Sequence, residues 1–96
     1  MSEQQKTFDV GEWFKEKFAG YEVLDNFDAT RLSQFYHFRH GTAIRHRVWV
    51  HEDFLADHNI EEILARLDEW HVDQRIRQAG LRAVTVTSQG VQIAPD

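Results

Sequence analysis

Residues 32–51 read LSQFYHFRHGTAIRHRVWVH, and the way this stretch pairs with itself decides the architecture. Apolar and polar positions alternate on both sides of Gly41, the period-two pattern of strands with one buried face. Glycine accepts the left-handed backbone that a tight loop requires. Arg39-His40-Gly41 therefore reads as a three-residue loop joining strands 32–38 and 42–51 into a β-hairpin. One face then collects Leu32, Gln34, Tyr36 and Phe38 with Thr42, Ile44, His46, Val48 and Val50. The other collects Ser33, Phe35 and His37 with Ala43, Arg45, Arg47, Trp49 and His51. A two-residue loop would slip the pairing by one and mix arginines with Tyr36 and Phe38 on one face, which burial disfavours.

The same stretch stands out in charge. From Ala29 to His51 there are four arginines and no acid, whereas the rest of the chain holds seven Lys and Arg against sixteen Asp and Glu. The net charge of −5 argues against general affinity for nucleic acid, which is driven by neutralising phosphates. The molecule is instead expected to be polarised, with a basic middle and acidic flanks.

Working outward towards the N-terminus, Asp9 and Glu12 have capping-box spacing. Val10, Trp13, Phe14 and Phe18 form one stripe at helical period, and Gly20 suits a left-handed C-terminal cap. The spacing predicts a helix over 10–19, with residues 1–7 frayed. Its aromatic stripe reads as a core-packing face rather than a membrane-surface face, because burying aromatic area on a sheet is the simplest use of it. "YEVL" (21–24) is extended chain or a short strand, and "DNFDAT" (25–30) has turn composition. Towards the C-terminus, residues 56–80 carry the longest helical signal. Asn59 and Glu62 repeat the capping spacing, and Ile60, Ile63, Leu64, Leu67 and His71 mark one stripe with Trp70 at its edge. Val72, Ile76 and Ala79 fall on nearly the opposite side, so a bend or break near His71 is expected, or a second partner surface such as a dimer seam. "LRAVTVTSQGVQIA" (81–94) reads as a second hairpin. The expected fold is one α+β domain over 1–96, a small antiparallel sheet with two helices on one face, in the order α-β-β-α-β-β.

Ninety-six residues, 42% of them hydrophobic and one a proline, suit a single modest core. No cysteine is present, which excludes disulfides and thiolate metal sites. No run approaches a transmembrane span, and a cytoplasmic location is the default expectation. Six histidines invite a metal, but the hairpin register sends His46 one way and His37 and His51 the other. His51, Asp53 and His58 at a strand-to-helix corner are the better metal set. No phosphate-cradling glycine loop, dinucleotide fingerprint, zincin spacing or Gly-x-Ser-x-Gly elbow occurs. No metal or cofactor is therefore assigned, and no catalytic residue.

The remaining candidate is the hairpin face of Phe35, His37, Arg45, Arg47, Trp49 and His51. Trp and Arg among aromatics are interface-type residues. The expected function is that of a small non-catalytic protein-interaction module, docking an acidic protein surface or a second subunit. Single-stranded nucleic-acid binding is the alternative, with a small metal-dependent enzyme behind it. The plainest reading of the face needs no ligand at all: the arginine stems cover Trp49 and stack on it internally.

Overall fold

A computed structural model of the protein describes residues 3–95. Its first helix, α1 (Glu3–Lys17), begins well ahead of the expected residue 10. Residues 3–9 are mostly good helix formers, and Gln5 donates to the Asp9 carboxylate one turn on, so nothing stops the helix there. Of the stretch expected to fray, residues 1 and 2 lie outside the described residues, and the rest is helical. The stripe itself packs inward: Val10, Phe14 and Phe18 are fully buried.

The chain then forms β1 (Glu22–Asp28), running through residues expected to turn. Ladder bonds with the next strand override the local preference of Asp25 and Asn26. The turn chemistry starts at Asp28, whose carboxylate accepts from the amides of Thr30 and Arg31. Leu32, expected on the inner face of a strand, sits in that turn with φ of 48° and is exposed.

The hairpin follows as β2 (Ser33–His40) and β3 (Ala43–His51). Its loop has two residues, Gly41 and Thr42, since His40 pairs with Ala43. The slip this would cause is undone by a β-bulge. Arg39 faces Ile44 while Phe38 faces His46, which leaves Arg45 as the extra residue. Beyond the bulge Tyr36 pairs with Val48 and Phe35 with Trp49, so the expected sorting of faces holds there although the partners differ. It fails at the tip, where Ile44 pairs with Arg39 and is 44% exposed.

Three helices connect β3 to the next strand: α2 (Glu52–Asp57), α3 (Ile60–Glu69) and α4 (Val72–Ala79). His58 ends α2 and Asn59 caps α3, accepting from the Glu62 amide at 2.9 Å. The break between α3 and α4 falls at Trp70–His71, where His71 adopts the left-handed conformation. It reorients the helix so that both offset stripes, Ile63 and Leu67 then Val72 and Ile76, are fully buried. Val72 and Ile76 thus belong to the core rather than to a dimer seam.

The chain ends in β4 (Val84–Thr87) and β5 (Gly90–Ile93). The five strands lie in the order β1-β2-β3-β4-β5, antiparallel except that β4 runs parallel to β3. A helical connection carries the chain back over the sheet before it pairs, the usual requirement for parallel neighbours. The expectation of an antiparallel sheet with two helices in the order α-β-β-α-β-β is therefore corrected: the sheet is mixed, and the order is α-β-β-β-α-α-α-β-β. One core joins residues of all four helices to the inner sheet face, including Tyr36, Phe38, Val48, Val50, Val84 and Val86. At about 1.5–3 kcal/mol for each large side chain buried, this layer dominates the stability. Among the described residues, no helix lies on the opposite face of the sheet.

Candidate binding face

The helix-free face is organised around Trp49. Alternation on β3 places it outside the main core, yet it is 6% exposed. Three side chains account for that. Phe35, its cross-strand partner, stacks on it with ring centroids 4.5 Å apart at 29°. The Arg31 guanidinium lies 4.0 Å from its ring centroid, and that of Arg47 lies 5.6 Å away. The indole Nε1 donates to Asp28 Oδ2 at 3.0 Å. This bond, with the backbone amides of Arg31 and Thr30 and the Arg31 charge, holds the Asp28 carboxyl below its ordinary value against a smaller opposing effect of burial. With Arg31 itself exposed, such a cation–π contact contributes about 0.5–1 kcal/mol.

The stack continues to His37, whose ring lies 5.2 Å from that of Phe35 at 27°. His37 Nδ1 is the one buried side-chain polar atom among the described residues with no hydrogen-bond partner. Arg47 is anchored at its far end, where Nε and Nη2 donate to the Leu81 carbonyl at 3.1 and 2.6 Å. Phe35, His37, Arg47 and Trp49 thus form one ladder across β2 and β3.

The other two expected members stand apart. Arg45 is exposed on the bulge, beside a cavity of about 610 Å³ lined by Tyr21, His40, His46 and Gly80. His51 is occupied as the cap of α2, its Nδ1 accepting from the Asp53 amide at 3.2 Å. The sequence reading missed Arg31 and Asp28 as parts of the face. Arg31 belongs to the same acid-free stretch, but its place over Trp49 depends on the turn that follows β1.

The helices do not neutralise this face. Among the described residues Arg39 is the one hairpin arginine in an ion pair, and its partner is Glu22 of β1. The acids of α3 turn elsewhere: Asp68 towards Lys17, Glu62 towards His58, Glu69 towards Arg66. Arg45 and Arg47 are in no ion pair there, while the Arg31 charge lies near the Asp28 carboxylate.

The histidines do not assemble. His46 faces the core side, with Nδ1 3.2 Å from the Gly80 carbonyl. His58 turns to Glu62 and Ser88. Among the described residues no group of three or more His, Asp or Glu side chains is placed to hold a metal ion. No helix there is long and apolar enough to cross a membrane.

Compared with protein-family models, curated proteins and solved structures, the chain matches none.

Proposed function

We propose that the protein is a small interaction module that docks an acidic protein surface on the helix-free face of its hairpin. Phe35, His37, Arg47 and Trp49 form the centre of that face, Arg31 covers Trp49, and Arg45 and His51 lie at its margins. The observation that carries this reading is Trp49, held rigid outside the core by a stacked ring and two guanidinium groups. Guanidinium groups pre-ordered on the buried Trp49 ring keep the entropic cost of docking low and select an acidic partner by charge.

Two features favour an acidic protein over the other occupants. A second copy meeting this face by two-fold symmetry would set arginine against arginine. Single-stranded nucleic acid needs open ring faces for its bases, and here Phe35, Trp49 and Arg31 occupy one another's. A cytoplasmic location belongs to the same reading, as suits a chain without cysteine.

The test uses a fluorescein-labelled hexaglutamate peptide as probe. Its affinity should weaken as salt rises, and the Arg31→Glu/Arg47→Glu variant should bind about tenfold more weakly or worse while keeping its circular dichroism spectrum. Equal binding by the variant would remove the proposal. Sedimentation of the unmodified protein as a dimer that this variant dissociates would replace the acidic partner with a second copy.

A further inference from the structure

We infer that Ser88, His58 and Glu62 form a Ser–His–Glu acyl-transfer site that hydrolyses uncharged or cationic carboxylic esters. This goes beyond the docking face and departs from the expectation that the chain carries no catalytic residue. The three side chains come from separate elements. Ser88 is in the two-residue turn between β4 and β5, His58 joins α2 to α3, and Glu62 is in the first turn of α3. Ser88 Oγ lies 3.5 Å from His58 Nε2, and Glu62 Oε2 lies 3.4 Å from His58 Nδ1. A nucleophile on one ring nitrogen and a carboxylate on the other is the connectivity by which a general base is oriented towards a hydroxyl. Both distances are long for hydrogen bonds, which is common in such sites before substrate tightens them.

Each member is positioned by contacts of its own. The His58 ring packs against Phe54, centroids 5.3 Å apart. Asn59 caps α3 through the Glu62 amide, which fixes the base of the Glu62 side chain. The Gln89 amide donates to Thr87 Oγ1 at 3.1 Å, which shapes the turn that presents Ser88. Ser88 also borders a recess of about 340 Å³ lined by His51, Asp53, Asp57, Thr87, Gln89 and Gln92, with His58 against Ser88 and outside that lining. The recess is open to solvent, and its two carboxylates disfavour an anionic substrate.

With His58 Nδ1–H donating a hydrogen bond to Glu62, Nε2 is the unprotonated nitrogen and can accept the Ser88 proton. Ser88 Oγ attacks the ester carbonyl carbon and its proton passes to Nε2. The bond from that carbon to the alcohol oxygen breaks, and the alcohol leaves with the same proton. Water then attacks the acyl-serine, giving a proton to Nε2 that returns to Ser88 Oγ as the carboxylic acid departs. Ester and water become acid and alcohol, and no other reactant is needed. Ser88 and His58 are catalytic residues in this scheme, and Glu62 is a positioning residue.

The test follows p-nitrophenyl acetate hydrolysis and labelling by a fluorophosphonate, with the adduct located by peptide mass mapping. The unmodified protein should release p-nitrophenolate with turnover and carry the adduct on Ser88. Ser88→Ala, an exposed turn substitution that leaves the fold intact, should lose both. His58→Gln should lower kcat by about 100-fold or more, and Glu62→Gln should lower kcat with KM unchanged. Hydrolysis by Ser88→Ala at the unmodified rate, or no adduct on Ser88, would overturn the assignment. So would a Glu62→Gln variant whose melting temperature falls while its kcat stays the same.

Discussion

Trp49 has both its polar atom and its ring engaged within the fold: its indole N–H donates to Asp28, and Phe35, Arg31 and Arg47 shield the ring. His46, three residues earlier on the strand, shows the opposite use of an imidazole. It packs among Phe18, Tyr21 and Phe38 on the inner side, with Nδ1 towards the Gly80 carbonyl. Burial, aided by the charges of Arg77 and Arg45, pushes its pKa below the ordinary 6.5, although the Gly80 carbonyl opposes the shift. The unfolded chain therefore binds this proton more readily than the fold does. The stability His46 confers is complete above about pH 6.5 and declines as pH falls from there towards the lowered folded value. The melting temperature should drop between about pH 7 and pH 5.5, and His46→Gln should flatten the profile over that window. An unchanged slope in the variant would show that another group titrates there.

Among the elements, α1 carries a fault that can be corrected. Gly11 sits inside the helix, and a Cβ built on it would meet Tyr36 Cε1 at 3.5 Å, an ordinary contact. Gly11→Ala should raise the unfolding free energy by about 0.5–1 kcal/mol, read by urea denaturation, because the glycine costs helix stability without a compensating use. No gain would mean that the Tyr36 hydroxyl, which donates to the Thr7 carbonyl at 2.7 Å, has been displaced. Elements also mark where the sequence was readable. The faces of the hairpin were legible because side-chain parity survives any even change of register. The shorter loop and the extra residue at Arg45 together shift the pairing by an even number. The register itself was not legible, since a bulge leaves no composition signal. The break at His71 was legible from two stripes that no straight helix buries together. Strand β1 was hidden because cross-strand pairing outweighed the turn preference of its Asp and Asn residues. The separate α2 was hidden in the same way, as its buried Phe54 and Leu55 form too short a stretch to show a helical period.

At the scale of the molecule, the helices and the basic stretch divide the sheet between them. All four helices share one core with the inner face, while among the described residues Arg31, Arg45 and Arg47 are in no ion pair on or beside the outer one. That polarisation could be read from the acid-free run 29–51. The composition of the face could be read only in part: Phe35, His37, Arg47 and Trp49 come together, but Arg45 and His51 are drawn off by the bulge and by the α2 cap. Arg31 joined the face through a turn that lay elsewhere than expected. The docking claim is tested most directly by where an acidic ligand lands. Hexaglutamate titrated into ¹⁵N-labelled protein at low salt should perturb the backbone amides of Phe35, His37, Arg47 and Trp49 and the Trp49 indole, and leave α3 and α4 unmoved. Perturbations scattered over the surface, or concentrated away from β2 and β3, would contradict it.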